Sequence, residues 1–224
     1  MRSRFGSPLL ILGVLWVSLT ALGAQEVVVV DFGKVKAPVP EGWELSEKAG
    51  EADLALVNDG NGQVLKLGSV SSSYSLSTEV EIDLKQTPYL EWQWKVTEVP
   101  EGGDFRNDDA DDQAAQLFVV FDWNPLRQEA IAYIWDSTAP AGTMAKIPPP
   151  LFYPFLKIHA VVVKSGHAEL GKWVTVTRNV VEDYKELFGR EPGEVQGIRI
   201  QINSQHTKSR AEAYWKSVIF KPYP

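Results

Sequence analysis

The stretch Leu90-Glu91-Trp92-Gln93-Trp94-Lys95-Val96 alternates apolar and polar side chains without interruption. Successive side chains of a β-strand point to opposite faces, so this alternation predicts a strand with one dry face and one solvated face. Trp92 and Trp94 both fall on the apolar face, which predicts that they belong to a hydrophobic core. The stretch therefore favours a β-sandwich over a helical protein.

Further strand patterns occur on both sides of this stretch, separated by Ser, Gly, Thr and Pro turn signals. Residues 115–121 and 130–135 are apolar on both faces, as expected of central strands that are covered on both sides. Together the patterns predict about ten to twelve strands in an all-β, antiparallel two-sheet β-sandwich of jelly-roll or galactose-binding-like type. The predicted strands are residues 27–32, 63–70, 79–84, 89–96, 115–121, 130–135, 161–163, 173–177, 196–202 and 214–220.

One segment carries a helical pattern. Residues 180–188 place their apolar side chains on one stripe of a helix. Asn179 suits the N-cap position, and Gly189 suits the first position after a helix. We expect one short helix near residues 180–188, lying across one end of the sandwich.

The N-terminus has the pattern of a secretory signal peptide. Arg2 and Arg4 precede a largely apolar run over residues 9–22, which ends in small residues suited to cleavage. We expect residues 1–24 to be a signal peptide and residues 25–224 to form a single β-sandwich domain. The protein is then periplasmic or secreted, with no membrane span after cleavage. A retained N-terminal anchor is the alternative.

The charge balance limits the class of partner. Cleavage would remove Arg2 and Arg4 from the 22 basic residues, leaving 20 basic and 29 acidic residues and a net charge of −9. An acidic surface repels phosphate groups, so we expect neither nucleic acid nor an anionic membrane surface as a partner. The chain has no cysteine, which excludes thiolate catalysis, zinc–cysteine sites and iron–sulfur clusters.

The loop over residues 104–112 concentrates negative charge, with five aspartates in nine positions. Closely spaced carboxylates together with backbone carbonyls can bind Ca²⁺, although the spacing does not match an EF-hand. The alternatives are a solvated loop whose aspartates bond to local backbone amides, and a structural carboxylate paired with an arginine. We predict no cofactor, with Ca²⁺ as the one ion that this acidic loop could bind, and the metal ligands are left open.

Aromatic content suggests the class of ligand. Flat aromatic faces bind sugar rings, so an exported sandwich rich in tryptophan favours a carbohydrate ligand. Trp123, beside Asp122 and Asn124 at a strand end, is the best candidate for an exposed ring. The predicted ligand-binding residues are Asp108, Asp109, Asp112, Trp123, Tyr133 and Arg178.

No catalytic residue is predicted. The three histidines, at positions 159, 167 and 206, lack the spacing of a zinc site, and no nucleophile elbow, dinucleotide-binding turn or Walker A loop occurs. The leading hypothesis is therefore a non-catalytic module that binds a glycan or another cell-envelope ligand. The alternatives are a carbohydrate-active hydrolase or lyase that uses carboxylates of the acidic loop, and a structural envelope protein.

A set of segments occurs in a characteristic order: residues 90–96, 107–109, 132–135, 163–166, 173 and 178–189. Together they resemble the bacterial exported proteins of the family Domain of Unknown Function 3047. The resemblance implies no particular reaction. It does imply an Asp-rich turn with a threonine between the last two strands, where this chain has Asn203-Ser204-Gln205-His206-Thr207. An amide keeps an oxygen acceptor but carries no charge, so a charged site at this turn would be weaker here.

Overall fold

The structure is a computed structural model, and it describes residues 24–122, 124, 128–148 and 154–224. These residues form thirteen β-strands and one α-helix. In chain order the elements are β1 (Val27–Asp31), β2 (Glu44–Ala49), β3 (Asp53–Asn58), β4 (Gln63–Val70), β5 (Ser73–Ile82), β6 (Tyr89–Glu98), β7 (Ala115–Asp122), β8 (Glu129–Asp136), β9 (Met144–Ile147), β10 (Lys157–Ser165), β11 (Val174–Asn179), α1 (Val180–Phe188), β12 (Val195–Asn203) and β13 (Arg210–Lys221).

The strands form two sheets that share one hydrophobic core. One sheet is six-stranded, in the order β11-β6-β13-β4-β3, with β1 also paired to β13. The other is seven-stranded, in the order β2-β5-β12-β7-β8-β10-β9. The predicted two-sheet β-sandwich with one helix is confirmed.

One pair of strands departs from the antiparallel pattern. β10 runs parallel to β8, with Ala160 opposite Ala132, while β9 pairs with the other side of β10 in the antiparallel sense. Parallel neighbours need a long connection, because the chain must return to the end of the sheet from which it started. Here the segment between β8 and β10 makes that return, and it supplies β9 as the edge strand.

The core is built around four tryptophans with no solvent exposure. Trp94 lies among the other three, and its ring centroid is 5.4 Å from that of Trp92, 6.1 Å from Trp135 and 5.2 Å from Trp215. All three contacts are edge to face, the arrangement that the charge distribution of aromatic rings favours. The prediction that Trp92 and Trp94 are core residues is confirmed, since both have a relative exposure of 0%.

The outer face of the seven-stranded sheet is also partly covered. Phe118, Ala132 and their neighbours form a second, smaller apolar cluster, and Phe105 of the acidic loop packs into it. The backbone N–H of Phe105 donates to Asp136 Oδ2 at 3.0 Å, which fixes the loop over the sheet. This cover explains why β7 and β8 are buried on both faces, as the sequence predicts.

Helix α1 forms where the sequence predicts it. The Oδ1 atom of Asn179 accepts hydrogen bonds from the backbone N–H groups of Val181 and Glu182. Gly189 adopts a left-handed conformation with φ of 70°, which a glycine reaches without a steric penalty. Both ends of the helix are therefore capped by the residues that the pattern indicates.

Three strands have no counterpart in the predicted set: β2, β3 and β9. All three are edge strands of their sheets. β2 is exposed along nearly its whole length, so it has no apolar face to produce an alternating pattern. Edge strands often carry charged residues, which discourage pairing with another chain.

The predicted signal peptide falls almost entirely on residues 1–23, which lie outside the described residues, so it stays a prediction. The proposed boundary between that peptide and a single domain also stays a prediction. Within the described ranges, no helix has the length and apolar character needed to cross a membrane.

Candidate functional site

A groove runs across the outer face of the seven-stranded sheet, beside the apolar cluster that contains Phe105. It consists of two adjoining cavities of about 490 Å³ and about 500 Å³. Lys48, Leu156, Arg199 and Gln201 line both cavities, so the two form one continuous depression, termed the sheet groove below. Strands β2, β5, β12 and β7 contribute most of its lining.

Strand β12 supplies the polar residues at the middle of the groove. Its three isoleucines are fully buried between the sheets. Arg199, Gln201 and Asn203 alternate with them and line the groove on the opposite face. In the register of the sheet, Arg199 lies between Ser77 of β5 and Phe118 of β7.

Neighbouring side chains hold Arg199 in place, among them Phe118 and Gln128. Its guanidinium carbon lies 5.6 Å from the ring centroid of Phe118, and Nη1 donates to Gln128 Oε1 at 3.4 Å. Burial lowers the pKa of Arg199, because a low-dielectric environment disfavours the charged form. Arginine nevertheless remains protonated in proteins, so the groove contains a partly buried positive charge.

Asn203 joins the acidic loop to the sheet at one end of the groove. Its Oδ1 accepts from the backbone N–H of Gln113 at 2.9 Å and from Gln116 Nε2 at 2.6 Å. Its Nδ2 donates to the backbone carbonyl of Asp111 at 2.6 Å. One buried amide thus fixes three groove residues. Its oxygen accepts two hydrogen bonds and its nitrogen donates one, all within the protein.

The turn after β12 contacts the acidic loop again through Thr207. Its backbone N–H and its hydroxyl both donate to Asp112 Oδ2, at 2.7 Å and 2.8 Å. His206 Nδ1 lies 2.6 Å from the backbone carbonyl oxygen of Asp108. Asp112 is fully buried, so its carboxylate connects the two segments and does not line the groove.

Two acids of the loop, Asp108 and Asp111, do line the groove. Asp111 accepts a hydrogen bond from Gln113 Nε2 at 3.0 Å. Burial raises the pKa of Asp111 above its ordinary value, although the bond from Gln113 and the nearby His206 oppose the rise. The groove therefore contains one carboxyl group that holds its proton more readily than a solvated aspartate.

The structure does not bring the predicted ligand-binding residues together. Asp108 lines the groove, whereas Asp109 is exposed outside it and Asp112 is buried. Asp104 Oδ1 accepts from the backbone N–H of Arg106 at 3.0 Å, which matches the alternative of a loop whose aspartates bond to local backbone amides. Trp123 lies outside the described residues.

Tyr133 and Arg178 lie away from the groove and meet at Asp183 of helix α1. The Tyr133 hydroxyl donates to Asp183 Oδ2 at 2.8 Å, and the Arg178 guanidinium forms a two-point ion pair with the same carboxylate. Tyr133 has no solvent exposure. The two side chains thus anchor the helix to β8 and β11, and neither of them lines the sheet groove.

Most of the groove residues were missed by the sequence analysis, because they come from separate strands. Lys48, Gln116 and Gln201 are far apart in the chain and become neighbours only through strand pairing. One signal was present: the alternation of Arg199, Gln201 and Asn203 with three isoleucines shows that β12 has a polar face. Nothing in the sequence indicates that this polar face is concave.

The described residues contain no group of three or more His, Cys, Asp or Glu side chains that could hold a metal ion. The acidic loop spreads its carboxylates in different directions: Asp104 pairs with Arg106, Asp111 faces the groove, and Asp112 is buried against Thr207. Ca²⁺ binding by this loop stays a prediction, without a set of ligands in the described structure.

The fold and the site define an all-β sandwich with a polar groove on the outer face of one sheet. The chain belongs to the family described as protein of unknown function, DUF3047, whose model matches residues 41–219. No curated protein matches the chain.

Solved structures with a similar arrangement of strands include two carbohydrate-binding modules of Clostridium thermocellum. The family 11 module of the cellulosomal cellulase Lic26A-Cel5E is 8% identical over 89% of this chain and 95% of that one, with a TM-score of 0.45. The family 30 module of the cellulosomal cellulase Cel9D-Cel44B is 12% identical over 89% and 99%, with a TM-score of 0.47.

The xyloglucanase domain of NopAA, a type three effector from Sinorhizobium fredii, is 9% identical over 82% of this chain and 95% of that one, with a TM-score of 0.46. Similarities at this level concern the sandwich architecture. They carry no argument about ligand or activity, because one fold serves many functions.

Proposed function

We propose that this protein is an exported, non-catalytic module that binds a glycan in the sheet groove. The observation that carries the proposal is the groove itself, a continuous depression whose lining is rich in amide and hydroxyl side chains. The N-terminal sequence pattern supports export.

The chemistry of the lining suits a ligand with many hydroxyl groups. An amide side chain offers both donors and an acceptor, and a serine hydroxyl can act as either. Gln116 lines the groove on β7, Gln201 lines it on β12, and Ser75 and Ser77 line it on β5. A sugar hydroxyl that leaves water can therefore find a partner whichever role it takes.

The dimensions suit a short oligosaccharide better than one sugar. Ligand pockets in proteins typically measure roughly 300 to 1,000 Å³. Each of the two cavities falls in this range by itself, at about 490 Å³ and about 500 Å³. Because they adjoin through shared residues, a chain of several sugars can occupy both.

The groove is also organised before a ligand arrives. Asn203 is only 4% exposed, and its hydrogen bonds hold Gln113 and Gln116 in fixed positions. Side chains that are already ordered lose little entropy on binding, which raises affinity. This rigidity supports recognition of a specific ligand.

The test is a calorimetric titration of the protein with a panel of neutral and acidic oligosaccharides. We expect at least one to bind, and Gln201→Ala to weaken that binding about tenfold, the effect of losing one or two hydrogen bonds. Gln86→Ala is the matched control, since Gln86 is exposed in the loop between β5 and β6. Absence of binding to every oligosaccharide would refute the proposal, and full binding by Gln201→Ala would exclude the groove.

A carbohydrate-active enzyme is the second candidate, and Asp111 favours it. A carboxyl group with a raised pKa can serve as a general acid, and Asp111 lines the same groove as Asp108. The same panel tests this candidate by product analysis. Turnover that Asp111→Asn abolishes, with binding retained, would replace the binding module by an enzyme; absence of turnover would remove the candidate.

A further inference from the structure

We propose that the glycan bound in the sheet groove is acidic, with a carboxylated sugar placed between neutral ones. This inference rests on the proposed function and specifies its ligand. It follows from how charged side chains are distributed along the groove.

The positive charges lie where the two cavities meet. Lys48 and Arg199 are the only charged residues that line both cavities in the described structure. Lys48 comes from β2, Arg199 comes from β12, and β5 lies between these strands. A ligand that spans both cavities must therefore pass close to two cations from different strands.

The negative charges line one cavity each. Glu44 belongs to the first cavity, and Asp108 and Asp111 belong to the second. A carboxylate on every sugar would be placed against these acids, and like charges in close proximity repel. The distribution favours a chain in which acidic sugars are separated by neutral ones.

The surroundings of Arg199 suit a carboxylate. A guanidinium is planar and can donate two parallel hydrogen bonds to one carboxylate, with a strength greater than that of neutral hydrogen bonds. The stacking on Phe118 and the bond to Gln128 fix the plane of the group. Because Arg199 is partly buried, salt screens its attraction to an anionic ligand less than it would at the surface.

Lys48 complements Arg199 in a different way. Its side chain is exposed on the edge strand β2, so its ammonium group can approach a ligand without a rearrangement of the fold. A flexible ammonium acts as a point charge and does not require one geometry. Arg199 therefore orients the carboxylate, and Lys48 adds long-range attraction that salt will screen.

The experiment uses pairs of oligosaccharides that differ only in charge. Each acidic oligosaccharide with carboxylates on alternate sugars, for example a hyaluronan fragment, is titrated beside its carboxyl-reduced form. An oligogalacturonate, with a carboxylate on every sugar, is the third probe. We expect the alternating acidic form to bind at least about tenfold more tightly than its reduced form, since one charge-assisted contact contributes this much.

Variants locate the effect in the protein. We expect Lys48→Gln and Arg199→Gln each to reduce the preference for the acidic form several-fold, with the affinity for the reduced form nearly unchanged. Lys48→Gln keeps the test decisive if Arg199→Gln fails to fold, because Lys48 is exposed. Lys172→Gln, at an exposed lysine before β11, is the matched control and should bind like the original protein.

The outcomes separate this inference from the proposed function. If the reduced forms bind as tightly as the acidic ones, or if only neutral glycans bind, the acidic ligand is refuted and the glycan-binding module stands. Tighter binding of oligogalacturonate than of the alternating glycan would refute the spacing of the charges. If no oligosaccharide of either kind binds, both proposals fail.

Discussion

The outer faces of the two sheets use their polar side chains in different ways. On the six-stranded sheet, charges pair with each other across neighbouring strands. Lys66 lies 2.6 Å from Glu212, and Lys221 lies 2.7 Å from Glu91. On the seven-stranded sheet, amides and hydroxyls surround a groove, and the charged residues there are spread along its length.

Aromatic residues show the same contrast. On the six-stranded sheet, Lys95 Nζ lies 4.4 Å from the ring centroid of Tyr214 and 5.0 Å from that of Trp173. Trp173 Nε1 donates to Asp59 at 2.5 Å. Burial by itself would raise the pKa of Asp59, but the bond from Trp173 and the lysine charges lower it below its ordinary value. These ring faces are already occupied by cations of the protein.

The comparison teaches that aromatic content alone does not locate a sugar site. Trp173 belongs to a network in which its polar atom and its ring face both have partners within the protein. In the groove, the ring of Phe118 also has a cation of the protein stacked on it. Concave shape and hydrogen-bonding side chains distinguish the groove from the other face.

The largest expected effect comes from removing the cover of the seven-stranded sheet. Phe105→Ala should lower the free energy of unfolding by about 3 kcal/mol, because it leaves a cavity in the outer apolar cluster. Chemical denaturation measures the change. Phe155→Ala is the matched control, since Phe155 is 68% exposed, and it should have little effect. Equal losses for the two variants would show that Phe105 does not pack as described.

The next effect concerns the amide that organises the groove. Asn203→Ala should lower the free energy of unfolding by about 2 kcal/mol, because buried groups of Gln113 and Gln116 lose their acceptor. Glycan affinity should fall as well, since the groove is no longer held in place. Asn61→Ala, in an exposed hairpin turn, is the control for both measurements. Unchanged affinity in Asn203→Ala would contradict the organising role.

A smaller effect is expected on the six-stranded sheet. Lys66→Gln should cost about 0.5 kcal/mol, because partly exposed ion pairs contribute little. It should leave glycan affinity unchanged. Lys48→Gln should do the reverse, with unchanged stability and altered affinity. Binding calorimetry and denaturation of both variants sharpen the comparison, and a loss of affinity in Lys66→Gln would remove the distinction between the two faces.

The smallest effect is a dependence of stability on pH. The hydrogen bonds and charge of Arg106 hold the pKa of Asp104 at about 2, below its ordinary value of 3.8. In the folded protein Asp104 therefore stays ionised to lower pH than in the unfolded chain. Its stabilising contribution is present above about pH 4 and is lost as the pH falls towards 2.

Melting temperatures between pH 2 and pH 5 test this contribution. The melting temperature of Asp104→Asn should fall less steeply with decreasing pH than that of the original protein. Asp111 has the opposite effect on stability, because burial raises its pKa in the folded protein. Its stabilising contribution therefore declines as the pH rises above the pKa that Asp111 has in the unfolded chain. Asp109→Asn, at an exposed acid of the same loop, is the control. An identical slope in Asp104→Asn would contradict the pairing with Arg106.

Much of the fold could be predicted from the sequence, because local patterns determine it. The alternation around Trp92 and Trp94 reflects a face buried between sheets, and both residues are there. The helix is bounded by Asn179 and Gly189, whose roles depend on adjacent backbone atoms. The edge strands β2, β3 and β9 and the parallel pairing of β10 with β8 were not predicted in this way, since they depend on which strand lies beside which.

Most of the candidate site could not be predicted either, because it also depends on which strands and loops lie beside each other. The concentration of aspartates pointed to the acidic loop, and Asp108 does line the groove. The loop acquires its position through Asn203 and Thr207, which are about ninety residues away in the chain. A concentration of charge does not by itself identify ligand-binding residues. Asp112 belongs to the same run of acids, yet its buried carboxylate connects the acidic loop to Thr207.

The four central tryptophans provide the protein with an internal optical reporter. An indole emits at shorter wavelength in an apolar core than in water. The exposed fraction is 0% for each of Trp92, Trp94, Trp135 and Trp215. None of the described residues that line the groove is a tryptophan. The emission of these four rings should therefore shift to the red on denaturation and stay nearly constant on saturation with a sugar. The two processes can be followed separately in the same cuvette without any attached dye.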